Sequence, residues 1–151
     1  MIWSVWGELL PVCPNLVPLM SKISRREGWV AEGINSDAAG AAANQDASFT
    51  YNLTDIDLGA YNNVILEFHH HYRTFEDART VSVSANGGSS WTDYVITTTD
   101  NAEANQNFSG MTQINISAAV GGVDDVLIKF NYIGNYGWHW AVDDIRIIEQ
   151  P

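Results

Sequence analysis

The two hydrophobic runs that close the chain, residues 126–133 and 138–148, constrain its fold more than any other stretch. In the first, Val126, Ile128, Phe130 and Tyr132 alternate with Leu127, Lys129, Asn131 and Ile133, the period of a strand with one buried face. The intervening Gly134-Asn135-Tyr136-Gly137 can supply the positive φ angles of a hairpin reversal. In the second run Trp138, Trp140 and Val142 share one face, whereas Ile145 and Ile147 share the parity of Asp143. Strict alternation therefore sets Asp143 among apolar neighbours, where an unpaired carboxylate is costly. A β-bulge at Asp143 and Asp144 would shift the parity by one and re-aim the side chains.

The same period recurs upstream. Phe49, Tyr51 and Leu53 share a face, and the long run 64–73 puts Val64, Leu66, Phe68, His70 and Tyr72 on one side. Ile65, Glu67, His69, His71 and Arg73 take the other. Residues 79–84 supply a partner strand with Val81 and Val83 inward, followed by an Asn86-Gly87 reversal and a strand from Trp91 through residues 94–99. Residues 101–109 read as a polar connection, and Thr112, Ile114 and Ile116 mark a further strand. About eight strands with Gly and Asn turns and no amphipathic helix predict an all-β fold. The expected architecture is a two-sheet antiparallel β-sandwich (jelly roll) over residues 28–151, behind an irregular or short-helical N-terminal arm over residues 1–27.

A chain of 151 residues can bury the core of one domain without staples. Eighteen acidic residues against seven basic ones leave a formal charge of -11, which repels phosphate backbones and anionic headgroups and argues against nucleic-acid partners. The lone Cys13 rules out a disulfide within the monomer and says nothing of compartment. The apolar opening carries Glu8, Pro11, Pro14 and Pro18, which argues against membrane insertion. Its Ile2, Trp3, Val5 and Trp6 suggest a homo-oligomer formed through the N-terminal arm.

Several short motifs carry a family resemblance. They are Gly28-Trp29 with the polar loop Asn35-Ser36-Asp37, the passage Asp57-Leu58-Gly59-Ala60-Tyr61-Asn62, the Asn86-Gly87-Gly88 turn before Trp91, and the closing WAVDDIRI from Trp140 to Ile147. Together they resemble the MAM-like jelly-roll group, which includes the cleaved-adhesin and choice-of-anchor J domains of secreted bacterial proteins. The resemblance implies an extracellular or cell-surface, non-catalytic binding or adhesion module with a glycan or surface protein as ligand. It also implies a calcium site, anchored by Asp143 or Asp144 with Asp37 or Asp46 as companion. The loop between Asp37 and Asp46 has no DxDxDG run, and Asn86 stands where relatives carry Asp.

Other constellations point elsewhere. His69 and His71 share a strand face, and with Glu76 and His139 they resemble the metal site of cupin jelly rolls, so a small metalloenzyme is the alternative reading. Glycine spacings and a missing Pro-x-Gly depart from that pattern. The structural alternative makes His70 a core residue hydrogen-bonded to a neighbouring strand, with His69 and His71 pairing to Glu67 or Glu76 on an exposed face. No Gly-x-Ser-x-Gly, HExxH or phosphate-cradling loop occurs, and the adjacent Asp143 and Asp144 cannot flank one glycosidic bond. Aromatic rings can hold a sugar face. With Trp138 and Trp140 expected in the core, Tyr136, His139 and Tyr94 are the expected ligand contacts.

Overall fold

The computed structural model describes residues 3–6, 31–35, 44–53, 58, 61–98, 105–120, 125–135 and 137–149. Among these the chain forms nine strands and one helical turn. The strands are β1 (Trp3–Trp6), β2 (Ala31–Asn35), β3 (Asn44–Asn52), β4 (Val64–Arg73), β5 (Asp77–Ser84), β6 (Thr92–Thr97), β7 (Asn107–Asn115), β8 (Leu127–Asn135) and β9 (His139–Glu149), with α1 (Ser117–Val120) between β7 and β8. They build a five-stranded sheet in the order β1-β2-β9-β4-β7 and a four-stranded sheet in the order β3-β8-β5-β6, antiparallel throughout. This is the two-sheet sandwich that the alternation predicts.

The inward faces meet in a single core. Val64, Leu66, Phe68 and His70 of β4 are buried, as the parity of residues 64–73 requires, and Tyr72 packs against them. Phe68 meets Phe130 of the opposite sheet edge-on at 5.1 Å, and Phe130 meets Trp140 at 5.9 Å, so three large rings lock the layers together. The Asn86 reversal forms with Gly87 and Gly88 both at positive φ, 65° and 87°. Ser84 Oγ accepts from the Gly88 amide at 2.9 Å, which closes the turn.

The parity conflict in the closing strand is resolved by a bulge. His69 faces Asp143 and Glu67 faces Arg146, so Phe68 stands opposite two residues, Asp144 and Ile145. Asp144 takes up a φ of 49°, a left-handed conformation that Asp tolerates better than most side chains, and its amide donates to Asp143 Oδ1 at 2.8 Å. Val142 points inward before the bulge, Ile147 after it, and neither acid enters the core.

Four details differ from the sequence reading. The two closing runs do not form a hairpin, because β8 lies in the four-stranded sheet and β9 in the five-stranded one, and neither Gly134 nor Gly137 takes a positive φ. Within the N-terminal arm, Trp3–Trp6 is an edge strand whose backbone pairs with β2; residues 7–30 lie outside the described set. The polar connection ends earlier than expected, because β7 begins at Asn107 and pairs with β4 through nine consecutive positions. Trp138 is only half-buried, ahead of β9, whereas Trp140 is fully buried.

Candidate functional site

At the Arg73 end of β4 the sandwich holds a buried ion pair. Counting inward from Val83 and Val81 along β5 arrives at Arg79 and then Asp77, and both are buried, at 0% and 1% exposure. The guanidinium clasps the carboxylate with two bonds, Nη1 to Oδ1 and Nη2 to Oδ2, each 2.8 Å. Its Nη2 also donates to the carbonyls of Arg73 (3.0 Å) and His139 (3.1 Å), and its Nη1 to Thr97 Oγ1 (3.2 Å). Tyr132 donates its hydroxyl to Asp77 Oδ2 at 3.1 Å. One side chain of the four-stranded sheet thus fixes the ends of β4 and β9 in the other. A Cβ at Gly137 would collide with both Tyr132 Oη and Asp77 Oδ2, so this close approach requires glycine.

Directly outside that anchor, on the outer face of the five-stranded sheet, lies a cluster of planar polar groups. Arg73 spreads its guanidinium 3.9 Å above the Trp138 ring and donates to Asn105 Oδ1 at 2.9 Å. His71 and His139 are diagonal neighbours, since His71 faces Ala141 and His139 faces Arg73. Their rings stack at 4.7 Å, and His139 Nε2 lies 2.6 Å from His71 Nδ1, so one nitrogen carries the shared proton. Burial, and then the neighbouring His71, Arg79 and Arg73, hold the His139 pKa below its usual value against the opposing pull of Asp77. The cluster therefore offers two touching imidazoles beside one guanidinium and one indole.

His70 points the other way. Its Nδ1 accepts from the Trp140 indole N–H at 3.3 Å, which leaves Nε2–H to donate to Thr112 Oγ1 at 2.8 Å. Burial, followed by His69 and Arg79, lowers its pKa to about 4. It is the core histidine bonded to a neighbouring strand that the alternation suggests.

The other expected site residues are scattered. Tyr136 and Asp37 lie outside the described residues. Tyr94 lines a groove between β6 and β7 with Ile96, Thr112 and Ile114, and burial raises its pKa. That groove runs beside the part of β7 that pairs with residues 65–68, away from His139 at the Arg73 end, so Tyr94 and His139 do not share a surface. Asp46 is exposed on β3, where Asn131 donates to it at 2.8 Å. Asp143 and Asp144 belong to β9 of the other sheet, so the structure does not bring Asp46 to them. Calcium takes about six to eight oxygens. The described residues supply two adjacent carboxylates, one already accepting a backbone N–H, and do not by themselves make such a cage.

Of the alternative metal set, His71 and His139 meet, while His69 and Glu76 are exposed and Glu76 sits in the turn after β4 at a φ of 46°. Among the described residues no three His, Cys, Asp or Glu side chains are grouped to hold a metal ion. Arg73, Trp138 and the Arg79–Asp77 pair were not among the expected site residues. The signal for the buried pair was present, because Asp77 and Arg79 share the parity of Val81 and Val83.

Neither a family profile nor a curated protein matches the sequence. Solved structures do resemble the fold. TmCBM61, solved in complex with β-1,4-galactotriose, is 12% identical with a TM-score of 0.53 over 82% of this chain and 73% of its own. A non-crystalline cellulose specific carbohydrate-binding module, CBM28, is 15% identical with a TM-score of 0.47 over 98% of both chains. TmCBM27, a carbohydrate-binding module studied for specific mannan recognition, is 13% identical with a TM-score of 0.41 over 83% of this chain and 77% of its own. The chain thus shares the jelly-roll β-sandwich architecture of carbohydrate-binding modules.

Proposed function

We propose that the domain is a non-catalytic carbohydrate-binding module that takes a glycan on the outer face of its five-stranded sheet, at Arg73, Trp138, His71 and His139. The observation that carries this reading is the half-buried guanidinium, indole and imidazole cluster, with His71 exposed at its rim, held in place from beneath by Arg79. Planar groups can lie against the C–H face of a sugar ring, and the donors around them suit hydroxyls. The likeness to TmCBM61, which was solved with a bound galactotriose, supports the same class of ligand.

The MAM-like resemblance supports an extracellular or cell-surface setting on independent grounds, the closing WAVDDIRI strand among them. Among the described residues no helix is long and apolar enough to cross a membrane. The metalloenzyme alternative keeps one observation in its favour, the contact between His71 and His139, but two imidazoles leave a transition metal short of its usual ligands.

A glycan array followed by calorimetry on soluble galactan, mannan, xylan and glucan tests the proposal. At least one polysaccharide should bind, and Trp138→Ala should abolish that binding while leaving the circular dichroism spectrum unchanged. An array that stays blank would sink the glycan reading.

A further inference from the structure

A row of unpaired N–H and C=O groups at a sheet edge invites another strand, and chains block it with short strands, charges, prolines or bulges. Three of the four edges among the described residues are blocked in this way. β1 is four residues long, β3 carries the exposed Asp46, and β6 carries the exposed Asp93 and meets β5 through a register shift. The fourth edge, β7, has none of these devices. It runs for nine residues without charge or proline, and its pairing with β4 has no shift.

We propose that β7 is the interface of a symmetric homodimer, in which it pairs antiparallel with β7 of a second copy about a twofold axis at Met111. The sequence NFSGMTQIN is chemically self-complementary about that residue. Asn107 would face Asn115, Phe108 would face Ile114, Ser109 would face Gln113, Gly110 would face Thr112, and Met111 would face itself. Amide thus meets amide, apolar meets apolar, uncharged polar Ser meets Gln, and Gly leaves room for Thr, as an isologous interface requires. The register also keeps faces matched, because residues 107, 109, 111, 113 and 115 are exposed while 108, 110, 112 and 114 turn toward the sandwich. A slip by one residue would break that match.

Charge favours the same surface. In a chain carrying -11, a segment with no formal charge is where a second copy can approach without carboxylate repulsion. Behind β7, Glu67 is already satisfied by Gln113 and Arg146, and antiparallel pairing sets the Arg73 end of one copy beside the Ile65 end of the other. Two of the three exposed large hydrophobics among the described residues lie on this side, Met111 at 56% and Val95 at 64%. Val95 lines the groove along β7 with residues 112–115. This interface lies along the sheet edge that flanks Arg73 and His71, at the opposite side of the five-stranded sheet from β1.

Light scattering on the eluting full chain across micromolar concentrations should give twice the 16.7 kDa chain mass. Met111→Lys and Met111→Glu each set like charges face to face across the axis and should each return the single-chain mass with an unchanged circular dichroism spectrum. An equimolar mixture of the two should recover the doubled mass, because position 111 faces itself, and Met111→Leu should keep it. A single-chain mass for the unaltered protein, a doubled mass that survives Met111→Lys, or a mixture that stays monomeric would each overturn the proposal.

Discussion

Arg79 and Arg73 stand six residues apart in the chain, and the guanidinium of the first donates to the carbonyl of the second, yet they live in opposite environments. Arg79 points into the sandwich with no exposed surface, its charge met by two carboxylate oxygens, two carbonyls and a hydroxyl. Arg73 points outward, lies on an indole and has one amide partner, and no carboxylate pairs with it among the described residues. The inner arginine spends its hydrogen-bonding capacity on holding two sheets in register. The outer one keeps capacity for something else, and the inner one keeps it still. Desolvation offsets much of the attraction within a buried ion pair, so the pair adds little net stability even though breaking it is costly.

The contrast is broken most severely from the inside. Asp77→Ala leaves the Arg79 charge buried without its partner, and urea denaturation should report a loss of about 3–5 kcal/mol. Replacing both residues together, Asp77→Leu with Arg79→Met, should cost clearly less than the single change, since no stranded charge remains. Equal losses in the two variants would mean that the pair contributes only through packing, and Arg79 would no longer account for the order of the surface above it.

The three consecutive histidines repeat the contrast along one strand, and pH sharpens it. His69 and His71 are exposed, whereas His70 is held neutral between Trp140 and Thr112, with its pKa lowered from 6.5 to about 4. Between those values the unfolded chain binds a proton that the folded chain refuses. The stability that His70 contributes is therefore complete above pH 6.5 and drains away as the pH falls toward 4, by about 3 kcal/mol in all. His70→Gln should flatten this part of the stability profile, read as urea midpoints between pH 7 and pH 4. An unchanged slope would place the acid sensitivity in other groups, with the lowered His139 the first to test.

How far the sequence disclosed these features depends on what signals each of them. Alternation in residues 64–73 and 126–133 was legible because large apolar side chains mark one face, and the bulge was legible because Asp143 broke that pattern. β7 was legible only in its second half. Its first half alternates Asn, Ser and Gly around Phe108, and polar or small residues on both faces look like a loop until pairing with β4 is seen. The buried pair was hidden for a different reason. Charged residues are rarely interior, so the parity that Asp77 and Arg79 share with Val81 is a weak signal against their charge. The outer cluster was hidden most deeply, because Arg73, Trp138, His71 and Asn105 come together only when β9 lies against β4 and the turn after β4 meets the start of β7.

The smallest effect on stability should come from the outer arginine, and that is where the comparison is most informative. Arg73→Lys preserves the charge but removes the planar group that lies on Trp138, and an ammonium cannot replace a stacked guanidinium. An exposed cation–π contact contributes about 0.5–1 kcal/mol, so the urea midpoint should barely move. Affinity for the glycan identified on the array should nonetheless fall roughly tenfold, which is about 1.4 kcal/mol of binding free energy. A stability loss matching that of Asp77→Ala would make Arg73 a second structural clamp, and the division between an inner residue that builds the face and an outer one that uses it would collapse. An affinity that stays level while stability stays level would move the ligand elsewhere on the sheet, toward the exposed row of His69, Ser109 and Gln113.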